Sequence, residues 1–71
     1  MRRLGEKLRR LREEKGLSYR QLGAKLGISH AHLIYMESGK TLPSLPLLVK
    51  IAEFYKVSFD ELLDDKVELD L

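Results

Sequence analysis

With 71 residues, 44% apolar and 34% charged, the chain has the balance of an ordinary folded domain and is too short to enclose a deep catalytic cleft. It has no cysteine, which excludes disulfides and thiolate metal sites, and no apolar run near the ~20 residues that span a bilayer. The net charge of +2 hides an asymmetry: residues 1–40 hold ten Lys or Arg against four Asp or Glu, whereas residues 41–71 hold three against seven. Only the first part has the sign that phosphates attract.

The start, Met1-Arg2-Arg3-Leu4-Gly5-Glu6, turns charged too soon for a secretory signal, and a cytoplasmic protein is expected. Leu4, Leu8 and Leu11 recur at helical spacing, with Arg2, Arg3, Lys7, Arg9, Arg10 and Arg12 between them, and Gly16 stops this first helix. Ser18 caps a second helix, with Gln21 completing a capping box; it carries Leu22 and Leu26 and stops at Gly27. Ser29 caps a third helix running to Ser38, with Leu33 and Met36 facing inward and Gly39 closing it. After the loop Lys40–Pro43, Ser44 caps a fourth helix carrying Leu45, Leu48, Ile51, Ala52 and Tyr55, and Pro46 falls in its first turn, where the missing donor is tolerated. Ser58 caps a fifth, with Glu61 at the capping-box position and Phe59, Leu62 and Leu63 facing in. An all-α, compact five-helix domain over residues 1–63 is predicted. Residues 64–71 alternate acid and aliphatic and read as a separate tail: a ragged end, a linker or a short strand.

The informative stretch is Ser18 to Gly39. Its two helices are joined by so short a turn that they must cross steeply, the geometry that lays a second helix in the major groove of DNA. Gly23, costly inside a helix, suits a close backbone approach. With Leu33 and Met36 fixing the buried direction, Ala31, Ile34, Tyr35 and Ser38 lie opposite, His30 sits at the edge, and His32 is turned partly back. That face has no Arg or Lys, so the common bidentate grip on guanine is absent; a His, a Tyr hydroxyl and methyl-bearing Ala31 and Ile34 remain. The unpaired amides at the start of the second helix, with Ser18, Tyr19 and Arg20, suit a phosphate. His30 and His32 are two apart and do not share a helix face, so no metal site is expected. No cofactor motif or nucleophile–base pairing is visible, and no enzyme activity is expected.

Over Leu4 to Leu63 the chain resembles the Cro/C1-type (XRE) helix-turn-helix regulators. The matching residues are Leu8-Arg9-Arg10-Leu11-Arg12, Leu17-Ser18, Leu22-Gly23, Gly27-Ile28-Ser29, Leu33, Met36-Glu37 and Gly39-Lys40. They continue with Pro43-Ser44-Leu45, Leu48, Lys50-Ile51-Ala52 and Val57-Ser58-Phe59-Asp60-Glu61-Leu62-Leu63. The resemblance implies a lambda-repressor-like fold and sequence-specific binding of double-stranded DNA by a transcriptional regulator, in particular a repressor. It places base contacts at His30, Ala31, Ile34 and Tyr35, backbone contacts at Lys40 and Thr41, and an internal ion pair between Arg12 and Glu37. It also implies a homodimer, for which Phe54, Val67, Leu69 and Leu71 are candidate contacts. Tyr19 stands where the family usually has a phosphate-contacting Gln, and Lys56 where it often ends a helix with Gly. The non-basic reading face and Tyr19 suit an alternative: the same fold used as a protein–protein module of the antitoxin or anti-repressor kind.

Overall fold

The computed structural model describes residues 2–71, which form five helices and no strand: α1 (Leu4–Glu14), α2 (Tyr19–Leu26), α3 (His30–Ser38), α4 (Leu45–Tyr55) and α5 (Phe59–Leu63). Four of them begin at a serine whose hydroxyl accepts an amide from the first turn: Gln21 N to Ser18 Oγ (3.1 Å), His32 N to Ser29 Oγ (3.2 Å), Leu47 N to Ser44 Oγ (3.3 Å) and Glu61 N to Ser58 Oγ (3.0 Å). Gln21 and Glu61 return the favour to the backbone amides of Ser18 and Ser58, so two orphan donors are satisfied at each of these ends. α4 ends with Lys56 in the left-handed region (φ 57°), a conformation that glycine adopts more cheaply.

The core is a single cluster in which Leu8 and Leu11 of α1, Leu22 and Leu26 of α2, Leu33 and Met36 of α3, Leu48 and Ile51 of α4, and Leu62 of α5 are buried together. α1 packs on α3 so closely that a Cβ on Gly5 would collide with the backbone carbonyl of Glu37. Lys50 reaches from α4 to donate to the Leu26 carbonyl (3.1 Å), closing the C-terminal end of α2 with a cation.

Three placements differ from the sequence expectation. Lys7 is completely buried, in the stripe Leu4-Lys7-Leu8-Leu11, and its ammonium donates to the carbonyls of Glu61 (2.6 Å), Asp64 (2.8 Å) and Val67 (2.6 Å). A charge is tolerated there because each of its three protons meets a backbone carbonyl of α5 or of the segment that follows it. Leu45 and Phe59 face outward, 67% and 42% exposed. Each is the first residue of its helix, roughly 60° round from the nearest buried leucine, at an end where no helix packs over it. Finally, residues 64–71 lie on the helical body. Leu69 is buried, the Asp65 carboxylate accepts from the amides of Arg2 (3.1 Å) and Arg3 (3.0 Å) at the start of α1, and Arg3 forks onto Glu68. These bonds tie the tail to the two residues that lead into α1, and they hold the Asp65 carboxyl below the usual range.

Candidate nucleic-acid interface

The turn between α2 and α3 is only Gly27-Ile28-Ser29. Gly27 takes the left-handed conformation (φ 73°), and the Ile28 amide donates to the Gly23 carbonyl (3.0 Å). The Ile28 carbonyl then folds back over Gly23, where a Cβ would sit 2.6 Å from it. Gly23 therefore admits the turn itself.

α3 presents two distinct sides. Leu33, Met36 and Glu37 are buried, while His30, Ala31, His32, Ile34, Tyr35 and Ser38 are exposed. The four proposed base-reading residues are all exposed, and so is His32. Ile34 and Tyr35 are 40% and 48% exposed, a large apolar outlay for a surface helix. The loop after α3 curls back on it: the amides of Lys40 and Thr41 both donate to the Tyr35 carbonyl (2.9 and 3.4 Å), and the Lys40 ammonium hangs 5.5 Å from the centre of the Tyr35 ring. A cation is so held at the rim of an otherwise uncharged face. Ser18 and Arg20 are exposed at the start of α2, beside its unpaired amides.

Tyr19 is different. Its ring lies 4.0 Å beneath the Arg12 guanidinium, and its hydroxyl donates to Glu37 Oε1 (3.0 Å). The donor expected to meet a phosphate is spent inside the domain, because a phenol is long enough to reach the buried carboxylate of α3. That carboxylate, 1% exposed, also receives Arg12 Nε (2.8 Å) and Nη2 (3.3 Å), with Arg9 Nε at 3.6 Å. Arg12 Nη1 closes the group on the Leu17 carbonyl (2.9 Å). One carboxylate therefore ties α1, α2 and α3 together directly behind the open face, and the Glu37 hydrogen bonds push the Arg12 guanidinium further toward its charged form. Nearby, burial pushes the Tyr55 phenol up to about 12, and the Glu37 charge adds to the shift. Its hydroxyl has no hydrogen-bond partner among the described residues.

The sequence reading missed Lys7, Lys50 and Asp65, whose hydrogen-bond partners all lie in other parts of the chain. For Lys7 a signal existed: it falls on the i, i+3, i+4, i+7 stripe of the first helix. Among the described residues no three His, Cys, Asp or Glu side chains are placed to hold a metal ion, and no helix is long and apolar enough to cross a membrane.

A helix-turn-helix family model matches residues 8–62. The chain is 35% identical over 66 residues to the HTH-type transcriptional regulator SinR of Bacillus subtilis, covering 92% of this chain and 60% of that protein. It is 41% identical over 58 residues to the HTH-type transcriptional activator BcrR of Enterococcus faecalis, covering 82% of this chain and 28% of that one. An uncharacterized HTH-type transcriptional regulator of Methanocaldococcus jannaschii is 39% identical over 56 residues, with 79% and 85% covered. The chain thus spans between about a quarter and three-fifths of the first two and most of the third.

Proposed function

The chain belongs to the Cro/C1-type family of helix-turn-helix regulators, and on that premise we propose that it binds double-stranded DNA sequence-specifically in transcription control, with α3 in the major groove. The observation that carries this reading is the open side of α3, projecting from a braced support and rimmed by Lys40. His30, Ala31, Ile34 and Tyr35 meet base edges; the two aliphatic side chains suit thymine methyl groups. Ser18 and Arg20, the amides at the start of α2, and Lys40 with Thr41 take the phosphates and fix the register. Tyr19 acts from behind, as a brace on Glu37.

So short a reading helix covers few base pairs, and a homodimer on half-sites about 34 Å apart completes the site. The protein then works with the cell's DNA, in the cytoplasm. It represses where its site overlaps those of the transcription machinery, since an occupied groove excludes other proteins. Among its relatives one is named an activator and another, from Bacillus subtilis, a repressor, so the same domain serves both signs.

The absence of Arg and Lys from the open side of α3 favours a second reading, in which Ile34 and Tyr35 dock a protein. Selection of bound duplexes from a random pool, followed by a salt titration, tests between the two. The DNA reading expects an enriched sequence and an affinity that falls steeply with salt. No enrichment and a flat salt response would support the protein-docking alternative.

A further inference from the structure

We infer that protons are co-ligands of DNA binding: His30 and His32, in their charged imidazolium form, grip acceptor atoms of the duplex, so affinity rises as the pH falls. The inference rests on the DNA-reading assignment of α3 and gives His32 a part in it. Both histidines lie in the first turn of α3, and both are exposed. At about 100° per residue each stands roughly 100° from Ala31, one on either side. They therefore flank the exposed helix face that carries Ala31, Tyr35 and Ser38. Among the described residues neither imidazole has a hydrogen-bond or ion-pair partner, so both ring nitrogens are open to a ligand.

The surroundings decide the sign of the effect. Between Glu14 and Glu53 the chain holds a single acid, Glu37, whose buried carboxylate is taken by Arg12 and Tyr19. The polar groups of α1 that reach α3, Arg9 and Arg12, do so at this carboxylate, toward the other end of the helix. The remaining charged groups around α3 are cations: Arg20 and Lys25 on α2, Lys40 above the Tyr35 ring, and Lys50 of α4 on the Leu26 carbonyl. An imidazolium here thus has no free carboxylate on α2, α3 or the loop to meet, and the duplex supplies the missing partner. Phosphate oxygens, and N7 and O6 of guanine, present acceptors only. A neutral imidazole offers them one donor, whereas a charged one offers two and a positive charge. The charged form binds better, and each such contact takes up a proton. Imidazole is the side chain that changes charge between pH 5 and 8, so the contact is present at the acid end of that window and lost toward its alkaline end.

The test compares the parent with His30→Gln/His32→Gln, in which the amides keep polarity but take no proton. Circular dichroism first checks that each protein melts alike at pH 6 and pH 8. Both are then titrated onto the selected duplex at the two pH values and fixed salt, and calorimetry in buffers of different ionisation enthalpy counts the protons. The parent should bind about tenfold more tightly at pH 6 than at pH 8 and take up about one proton near pH 7. In the variant, whatever its affinity at pH 8, the pH ratio should fall below about twofold and the proton uptake close to zero. The two acceptor classes leave different marks. A phosphate contact steepens the parent's salt slope by about one unit at pH 6, whereas a guanine contact sharpens the preference for one G·C pair at an unchanged slope. Duplex binding by the parent that is indifferent to pH, or a pH dependence that survives in the variant, would overturn the inference and leave the DNA reading standing. If no duplex is bound at either pH, the DNA reading falls and takes the inference with it.

Discussion

Replacing Lys7 with Met tests the way the C-terminal segment is held. Methionine keeps nearly the length and volume of the lysine stem but removes the ammonium and its three hydrogen bonds to Glu61, Asp64 and Val67. A hydrogen bond to a charged group contributes about 1.5–3 kcal/mol, but part of that loss is recovered because the exposed end of α5 can rehydrate and the burial of a cation is relieved. A net loss of about 2–4 kcal/mol follows. For a domain of this size that is a large part of a total stability of roughly 4–10 kcal/mol, and it lowers the melting temperature by some 10–25 °C. Thermal and urea melts followed by circular dichroism measure it, with Lys25→Met, at an exposed position of α2, as the control. Deleting residues 66–71 removes Val67 and Leu69, so Lys7→Met should cost less in the shortened chain than in the full one. A Lys7→Met protein as stable as the parent, or equal costs in the two backgrounds, would refute the clamp.

Truncating Glu37 to Ala deprives the half-buried Arg12 and Tyr19 of their carboxylate and should cost about 2–4 kcal/mol on denaturation, against under about 0.5 kcal/mol for Glu14, which is exposed; equal losses would sink the bracing role. Lys56→Gly relieves the one left-handed non-glycine residue among those described and should raise stability by about 0.5–1 kcal/mol in the same melts. Tyr55 titrates near 12 in the fold against about 10 unfolded, so its contribution is fully present below pH 10 and is lost as the pH rises through 10 to 12. Tyr55→Phe should therefore melt at least as high as the parent at neutral pH, and its advantage should grow in alkali; a parallel pH profile for the two proteins would contradict this.

The helix count and most helix ends were legible because their signals are local. Ser18, Ser29, Ser44 and Ser58 each cap within three residues, and Gly27 and Gly39 stop helices where they stand. The open side of α3 was legible for the same reason: Leu33 and Met36 are enough to orient one short helix. Periodicity gives an angle, though, and not the presence of a neighbour. Leu45 and Phe59 carry inward-type side chains at helix starts that nothing covers. Lys7 and Asp65 escaped notice, and Tyr19 was assigned to a phosphate, because their partners are distant in sequence or on another helix. An ammonium 54 residues from the carbonyl it serves looks like any surface lysine until the chain is folded. At the candidate site, the residues facing out could be listed from the sequence, but whether Tyr19 faces a phosphate or Glu37 could not.

The central claim, that α3 reads bases while its rim holds phosphates, is tested most directly by a matched pair of changes at Ile34. The parent and Ile34→Ala are titrated onto the selected duplex and onto single thymine-to-uracil versions of it, which lack only the methyl group. At one thymine, uracil should weaken the parent by an amount within the ~1–3 kcal/mol expected of a lost base contact. That same swap should leave Ile34→Ala unaffected, and the salt dependence of the two proteins should be the same. Lys40→Ala should instead weaken every duplex alike and lower the salt slope by about one unit. If no thymine distinguishes the parent from Ile34→Ala, α3 does not read bases through this side chain. If Ile34→Ala also abolishes binding to a protein partner, the exposed side of α3 is a protein-docking surface.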